Sequence, residues 1–370
     1  MTATEGNKLN IDTEPAFDNI QTLRIPEQLG ETQSWKGFRL EYGRELPALH
    51  IAYTTYGQMN AAGDNVVWVF HAFTANSVAH DWWDGLVGEG KLIDTTRYFV
   101  VCANTPGSHY GSIGPLDTNP QTNQPYYHDF PFFTIKDIVK AFGYLKDYLG
   151  ISKIHLGIGG SMGGQQLLEW AISEPELFQH IVPIATNAIH SPWGIAFNTS
   201  QRMAIEADST WKNKADDAGI NGMKAARSIA LISYRSYQGY GITQSRNESQ
   251  WEPDGTGESK GGAASYQRYQ GQKLTTRYNA FSYYFLSKTM DSHNVGRYRQ
   301  SIEQALQQVT AKCLVVGIDS DVLFPLSEQQ FLATHIPGAE LAVISSQFGH
   351  DGFLLEFKVL DKIISQFLSK

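Results

Sequence analysis

Short apolar runs and longer amphipathic runs alternate along most of the chain. The segment NVVWVFHAF at 65–73 is almost wholly apolar and lies between small polar residues, which is typical of a strand buried on both faces of a sheet. The same pattern recurs at 97–104 (RYFVVCAN), 153–160 (KIHLGIGG) and 181–186 (IVPIAT). Fully buried strands with helices between them favour a parallel sheet.

Helical patterns separate these runs. From Thr134, the segment TIKDIVKAFGYLKDYLG carries apolar residues at helical spacing, and Asp137 stands three residues after Thr134, so the two side chains predict a capping box. Further helices are predicted from Met162 to about 172, from Pro192 with Ser191 as N-cap, from about 327, and after Gly352.

The remaining pattern predicts the edges of the sheet. Residues 35–56 alternate apolar and polar positions around a Gly/Pro break, which predicts a pair of antiparallel strands that opens the sheet. The apolar runs at 311–319 and 340–346 predict its last strands. The fold class expected is α/β, with a mostly parallel central sheet covered by helices on both faces.

A long insertion interrupts this alternation. From 189 to 298 we find helical patterns and no strand-like run, so we predict an all-helical lid inserted into an α/β domain formed by 1–188 and 299–370. Residues 250–265 (QWEPDGTGESKGGAAS) have no periodicity and are predicted to be a mobile surface loop.

Composition excludes several classes of function. The net charge is −8 and no Lys/Arg cluster occurs, which excludes a nucleic-acid partner. The N-terminal residues lack the basic and apolar parts of a signal peptide and no run of 18 apolar residues occurs, so we expect a cytoplasmic protein with no membrane association.

Cys102 and Cys313 lie in apolar runs and are expected to be reduced core residues. The histidines lack metal-ligand spacing, and no metal site is predicted.

The segment GIGGSMGGQQLLEW at 157–170 surrounds one serine with five glycines. Its central residues satisfy G-x-S-x-G, the strained turn between a strand and a helix that exposes a nucleophilic serine, and the predicted strand and helix lie on the correct sides. Ser161 is therefore the predicted nucleophile. Gly159 and Gly163 would allow the close backbone approach, and Gly160 and Gly164 are expected to allow close helix packing.

A serine nucleophile needs a base and an acid further along the chain. His350 follows the last predicted strand in a turn and is the predicted base, whereas His335 lies inside a helical pattern and His293 belongs to the insertion. Asp319 and Asp321 both follow the strand CLVVGI. Asp321 lies further past the strand end and is favoured as the acid that orients His350, with Asp319 as a turn residue.

The oxyanion formed during acyl transfer needs two backbone N–H donors. The residue after the nucleophile, Met162, would supply one, and Phe73, in the loop after the strand that ends in HAF, would supply the other.

Several segments together resemble the homoserine O-acetyltransferases, acyltransferases of the α/β-hydrolase fold in methionine biosynthesis. The segments are HAFT, WWDGLVGEGKLIDTTRYFVVCAN, YGSIGP, DFPFFTIKDIV, GGSMGGQQLLEWA, RSIALISYRS, DSDVLFP and FGHDGFLLE, and they span most of 35–370. The resemblance implies transfer of an acetyl group from acetyl-CoA, a cosubstrate, to the hydroxyl of L-homoserine through an acyl-Ser161 intermediate with ping-pong kinetics. It implies no permanently bound cofactor and a homodimer that forms through the lid helices.

The resemblance also implies an acceptor site. Arg227 and Tyr234 are seven residues apart and would share one face of a lid helix, with the guanidinium binding the acceptor carboxylate. Asp351 matches the acidic residue that meets the amino group. The chain departs from the family pattern at Thr74-Ala75-Asn76-Ser77 and at 108–117 (SHYGSIGPLD), two segments that border the expected pocket.

Three alternatives stay open on the sequence. The first is a related acyltransferase that uses a succinyl donor, which would need a cation near the acyl group, or that uses a serine acceptor. The second is a hydrolase, which a long lid that excludes water would disfavour. The third is an inactive binding module, which the full set of Ser161, Asp321 and His350 makes a weaker hypothesis.

Overall fold

The computed structural model describes residues 19–28, 35–244 and 262–370. Within them, twelve strands form one large sheet and two short ribbons. The strands are β1 (Gln21–Ile25), β2 (Phe38–Arg39), β3 (Glu45–Leu46), β4 (Leu49–Tyr56), β5 (Val66–Phe70), β6 (Phe99–Ala103), β7 (Thr118–Asn119), β8 (Gln124–Pro125), β9 (Ile154–Gly160), β10 (Phe178–Ile184), β11 (Lys312–Ile318) and β12 (Glu340–Ile344).

The same residues contain α-helices of four to fifteen residues and short 3-10 helices, among them Gly349–Leu354 after β12. The α-helices are α1 (Ala79–Trp82), α2 (Ile135–Tyr148), α3 (Met162–Ser173), α4 (Pro192–Glu206), α5 (Ile220–Tyr234), α6 (Tyr237–Thr243), α7 (Gly262–Thr275), α8 (Ala280–Asp291), α9 (Ile302–Leu306), α10 (Leu326–His335) and α11 (Phe357–Leu368).

The large sheet has the order β1-β4-β6-β5-β9-β10-β11-β12. The six strands from β6 to β12 in this order pair in parallel, and β4 and β1 add an antiparallel edge. The predicted mostly parallel sheet is confirmed. The prediction for 35–56 is wrong in part, because β2 and β3 pair with each other outside the large sheet and only β4 joins it.

The side chains of β5 show why the sheet is covered on both faces. Trp68 and Phe70 point into one apolar core, and Val67 and Val69 point into the other. Residues of α2, α3 and α10 complete the first core, and residues of α1 and α11 complete the second. Successive strand side chains alternate between faces, so an uninterrupted apolar run needs apolar partners on both sides.

The predicted helix starts are confirmed for α2 and α4. Thr134 accepts a hydrogen bond from the amide of Asp137 at 3.2 Å, and the Asp137 carboxylate accepts one from the amide of Thr134 at 2.9 Å. Ser191 accepts a hydrogen bond from the amide of Gly194 at 3.1 Å. These caps satisfy amide groups that a helix N-terminus leaves without intrahelical partners.

Helices α4 to α8 lie between β10 and β11, where the lid was predicted. In the part of this region that the structure describes, the only β-pairing is an isolated bridge between Ile189 and Asn294, so the entry and exit of the helical segment lie side by side. The division at 188/189 and 298/299 stays a prediction. Of the predicted loop at 250–265, residues 250–261 lie outside the described residues. The prediction is wrong for 262–265, which begin α7, where alanines favour the helix.

The two cysteines and the length of the helices bear on the expectations from composition. Cys102 and Cys313 are buried free thiols, as predicted, and burial raises the pKa of both. Among the helices described, none is long and apolar enough to span a bilayer.

Candidate active site

Ser161 lies at the sharp turn between β9 and α3. Its φ of 57° and ψ of −126° place it in a region that residues other than glycine rarely adopt. Two hydrogen bonds hold this conformation: the Ser161 amide donates to the carbonyl of Ile184 at 3.0 Å, and the Ser161 carbonyl accepts from the hydroxyl of Thr186 at 2.8 Å. The end of β10 therefore supports a strained turn that presents the serine.

The glycines around Ser161 are required by contacts too close for a side chain. A Cβ at Gly163 would lie 2.2 Å from the carbonyl oxygen of Phe70, and one at Gly159 would lie 2.8 Å from the backbone of Gly163. These contacts bring β5, β9 and α3 together as the sequence analysis expected.

Gly160 and Gly164 serve different contacts from the expected helix packing. A Cβ at Gly160 would lie 2.5 Å from the ring of Phe353, which follows His350 in the same 3-10 helix. A Cβ at Gly164 would lie 2.6 Å from Cγ2 of Thr186. These glycines thus fit the serine turn against the segments that carry His350 and the end of β10.

His350 and Asp321 are in contact, and His350 lines the same cavity as Ser161. Nδ1 of His350 lies 2.6 Å from Oδ2 of Asp321, and both side chains are buried. The other carboxylate oxygen of Asp321 accepts the amides of Leu323 at 2.8 Å and Phe324 at 2.9 Å. The Asp319 carboxylate instead accepts the amide of Ser346, which follows β12, at 3.1 Å, so it joins two strand ends and its predicted role within its own turn stays a prediction.

The Asp321 carboxylate also sets the ionisation of His350. Burial by itself lowers the pKa of His350, but the charge of Asp321 and its hydrogen bond outweigh burial and raise the net pKa above 6.5. Within the described residues, no hydrogen bond joins the Ser161 hydroxyl to His350, although both line one cavity. The two other histidines considered lie elsewhere: His293 contacts the carbonyl of Asn187 and His335 contacts that of Phe331.

The cavity over Ser161 is lined by two chemically different groups of residues. The apolar residues come from the loop after β5, from α1 and from the 3-10 helix, and most of the polar residues come from the lid and from around His350. The apolar lining residues are Ala72, Phe73, Ala75, Trp82, Phe353 and Leu354, and the polar ones are Thr74, Ser161, Arg227, Tyr234, Arg235, Gln270, His350 and Asp351.

Phe73 and Met162, the residues proposed for the oxyanion, lie on adjacent segments. Met162 is the first residue of α3, whose initial amides have no intrahelical acceptor. The contact between Gly163 and the backbone of Phe70 holds the loop that carries Phe73 beside this helix end. In the described part of the chain, neither the Phe73 amide nor the Met162 amide donates a hydrogen bond.

Arg227 and Tyr234 lie on one face of α5, and both line the cavity. The Arg227 guanidinium is 5.4 Å from the centre of the Tyr234 ring, a cation–π distance. Burial raises the pKa of Tyr234 to about 12, so its hydroxyl is a hydrogen-bond donor throughout the neutral range.

Asp351 lines the cavity beside His350, but it is paired with a residue that sequence reasoning missed. Nη1 of Arg235 lies 3.2 Å from Oδ2 of Asp351. Arg235 directly follows the last residue of α5 and has an extended backbone conformation, so helical spacing from Arg227 could not place it. Gln270 and Trp82 were also missed; the WWDGLVG segment was the only signal for Trp82. The described residues contain no group of three His, Cys, Asp or Glu side chains placed to hold a metal ion.

Comparison with known proteins agrees with this architecture. The profile of the alpha/beta hydrolase fold matches residues 65–357. A homoserine O-acetyltransferase of Cyclobacterium marinum is 46% identical over 346 residues, which are 94% of this chain and 96% of that protein. One of Chlorobaculum parvum is 41% identical over 93% of this chain and 95% of that protein. The chain belongs to the homoserine O-acetyltransferase family.

Solved structures that share the fold of this chain include a transferase and an esterase. The crystal structure of homoserine O-acetyltransferase from Bacillus anthracis superposes with a TM-score of 0.84 at 25% identity, over 95% of this chain and 98% of that one. Esterase E22 superposes with a TM-score of 0.81 at 23% identity, over 94% and 100% of the two chains. The esterase shares the fold alone, so the fold does not choose between transfer and hydrolysis.

Proposed function

We propose that this protein transfers an acetyl group from acetyl-CoA to the hydroxyl of L-homoserine through an acyl-Ser161 intermediate. The observation that carries the proposal is that one cavity contains both Ser161 with His350 and the polar pair of Arg227 and Asp351. The first pair suits acyl transfer, and the second suits an acceptor with a carboxylate and an ammonium group.

The first half-reaction acylates the serine. With Nδ1 bound to Asp321, Nε2 of His350 is the nitrogen that takes the Ser161 proton as Oγ attacks the thioester carbonyl. The amides of Phe73 and Met162 would then stabilise the oxyanion, and His350 would return the proton to the departing thiolate of CoA. The serine–histidine hydrogen bond would form with substrate bound, since such bonds are often long in unliganded enzymes.

The second half-reaction transfers the acyl group to the acceptor. His350 takes the proton of the homoserine hydroxyl, the resulting oxygen attacks the acyl carbonyl, and Ser161 leaves with the proton. Arg227 would bind the acceptor carboxylate, and Asp351 would bind its ammonium group. The Arg235 contact engages one oxygen of Asp351 and leaves the other carboxylate oxygen for the ammonium.

The cavity favours an acetyl donor over a succinyl donor. A succinyl carboxylate needs a cation, and two arginines line the cavity. Arg235 is neutralised by Asp351, and Arg227 is assigned to the acceptor carboxylate. The wall formed by Trp82, Phe353 and other apolar side chains suits a short apolar acyl group.

Thiol release and product formation test the proposal together. Wild-type protein is mixed with acetyl-CoA or succinyl-CoA, with and without L-homoserine or L-serine, and Ser161→Ala serves as the variant. We expect sustained thiol release, matched by O-acetylhomoserine, only with acetyl-CoA and L-homoserine. Acetyl-CoA alone should give a single burst of thiol, and Ser161→Ala should give none. Thiol release that keeps its rate without an amino acid would show a hydrolase and overturn the transfer proposal.

We also propose that the protein forms a homodimer through its lid. In the described residues of α5, α6 and α7, four large apolar side chains are exposed: Ile232 by 58%, Tyr237 by 93%, Ile242 by 62% and Tyr269 by 57%. Such exposure on neighbouring lid helices suits a second copy of the chain. Light scattering should give twice the chain mass for wild type and a smaller mass for Ile232→Glu with Tyr237→Glu; a monomeric wild type at micromolar concentration would refute the dimer.

A further inference from the structure

The loop after β5, residues 71–75, carries the Phe73 amide. Side chains donate hydrogen bonds to the backbone carbonyls of this loop. His71 Nε2 accepts the amide of Thr105 at 2.9 Å, so the proton of this buried imidazole is on Nδ1, which donates to the carbonyl of Ala72 at 2.9 Å. The amide of Ala75 donates to the same carbonyl at 3.0 Å and closes a β-turn.

The lid reaches this loop through Arg277. Nη1 of Arg277 donates to the carbonyl of Thr74 at 2.7 Å and also bonds the hydroxyl of Tyr110. The next lid residue, Tyr278, places its hydroxyl 3.5 Å from the carbonyl of Phe73. The loop is thus clamped from outside by residues just before α8.

Peptide planarity connects the Arg277 contact to the oxyanion donor. In a trans peptide the C=O and N–H bonds point in opposite directions. A guanidinium on the Thr74 carbonyl therefore aims the Ala75 N–H toward the Ala72 carbonyl. The hydrogen bond from Ala75 fixes the Ala72 carbonyl. The Phe73 N–H belongs to the same peptide and so points in the opposite direction, where no described residue accepts it.

We propose that Arg277 is a positioning residue that aims the Phe73 amide at the oxyanion. It acts through two peptide planes, 74–75 and 72–73, which are joined by the hydrogen bond from the Ala75 amide to the Ala72 carbonyl. The inference rests on the proposed function of Ser161 and Phe73. Arg277 touches no reacting atom in this arrangement. Because it belongs to the lid, the same contact makes the geometry of the oxyanion donor depend on the lid being in place.

Two measurements separate this role from a merely structural one. The first is the kcat and KM of acetyl transfer to L-homoserine. The second is the Kd of ethylboronic acid, which forms a tetrahedral adduct with a serine nucleophile and needs the oxyanion donors but no amino-acid acceptor. The variants are Arg277→Met and Arg277→Lys. The control is Arg202→Met, because Arg202 is also a partly buried lid arginine; it lies 2.6 Å from Asp291 and does not contact the loop.

Loss of one oxyanion donor lowers kcat by roughly 10²–10³-fold, so a mis-aimed donor should lower it by about 10-fold or more. We expect Arg277→Met to lower kcat and to raise the Kd of ethylboronic acid by similar factors, with the KM for L-homoserine nearly unchanged. Arg277→Lys should recover part of the kcat and part of the boronate affinity. Arg202→Met should lower thermal stability and leave both quantities near wild type. Equal losses in Arg277→Met and Arg202→Met, or a change in KM alone, would overturn the inference.

Binding of ethylboronic acid also distinguishes a failure of the proposed function from a failure of the positioning role of Arg277. If wild type binds ethylboronic acid but does not acetylate L-homoserine, the proposed acceptor is wrong, and the boronate affinities of the Arg277 variants still decide the positioning role. If wild type does not bind ethylboronic acid at all, the nucleophile assignment fails, and the inference about Arg277 fails with it.

Discussion

Nη1 of Arg235 lies 3.2 Å from Oδ2 of Asp351, inside the cavity that also contains Ser161. Both side chains are mostly buried, and Arg235 also lies 3.4 Å from the hydroxyl of Tyr266 on α7. The contact with the guanidinium leaves the Asp351 carboxylate few conformations. In the proposed function, the pair would therefore present a fixed carboxylate oxygen to the ammonium group of the acceptor.

Replacing Arg235 should weaken acceptor binding more than acylation. In Arg235→Met the Asp351 carboxylate loses its partner and its fixed position, so we expect KM for L-homoserine to rise about 10-fold, which corresponds to about 1.4 kcal/mol. The acylation rate with acetyl-CoA, measured as a thiol burst, should change little. Arg299→Met is the matched control, since Arg299 forms an ion pair of 2.8 Å with Glu169, and neither residue lines the cavity. A normal KM in Arg235→Met would contradict the assignment of Asp351.

The pH profile should report the His350–Asp321 pair. His350 acts as a base only when neutral, and its raised pKa places the acidic limb of kcat/KM above pH 6.5. Asp321→Asn removes the charge that raises this pKa, so the limb should move to lower pH while kcat falls on the order of 10³-fold or more, because the imidazole is no longer held in the correct tautomer.

Asp319→Asn provides the control for this profile. An asparagine there can still accept the Ser346 amide, so the limb and kcat should stay close to those of wild type. If Asp319→Asn shifts the limb and Asp321→Asn does not, the roles of the two aspartates are exchanged.

Two glycines should respond in opposite directions to alanine. A Cβ at Gly163 would meet the Phe70 carbonyl oxygen at 2.2 Å, and a backbone atom cannot rotate away, so we expect Gly163→Ala to lower the free energy of unfolding by about 3 kcal/mol or more. Gly143 lies inside α2 with no atom within 4 Å of its built Cβ, so Gly143→Ala should raise it by up to about 1 kcal/mol. Urea denaturation measures both; a tolerated Gly163→Ala would contradict the close contact of α3 with β5.

The sequence predicted those parts of the molecule that local chemistry determines. The capping box at Thr134, the continuous apolar run of β5 and the turn at Ser161 each depend on residues close together in the chain. β1 was not predicted, because QTLRI is a short edge strand with only two fully buried positions and its partner β4 lies some 30 residues away. Arg235 was missed because its direction depends on where α5 ends.

Long-range geometry accounts for the rest of the site. Gly160 contacts Phe353 and Arg277 contacts Thr74, and both contacts join segments about 200 residues apart in the chain. No spacing pattern in a single sequence contains such contacts, because they arise only when segments that are distant in the chain pack against one another. Ser161, Asp321 and His350 could be proposed from motif and chain order, whereas the contacts of Gly160 and Arg277 could not.

Three buried histidines should make the fold sensitive to mild acid. Burial lowers the pKa of His71 and of His190 to about 4 and that of His293 to about 3, whereas the unfolded chain would protonate each near 6.5. Between pH 6.5 and about 4 the unfolded state therefore binds more protons, and the free energy of unfolding falls as the pH falls. Each histidine contributes a slope of about 1.4 kcal/mol per pH unit. The raised pKa of His350 acts with the opposite sign and only above pH 6.5, outside this window.

The variant His293→Gln isolates one of these contributions. His293 contacts the carbonyl of Asn187 through Nε2 at 2.8 Å, and a glutamine amide can donate there without a titrating group. We expect urea unfolding between pH 6 and pH 5 to show a steep loss of stability in wild type, and a slope smaller by up to about 1.4 kcal/mol per pH unit in His293→Gln. Because the unfolded chain loses one proton-binding site while the folded chain loses none that is occupied, equal slopes would mean that His293 is protonated in the folded protein.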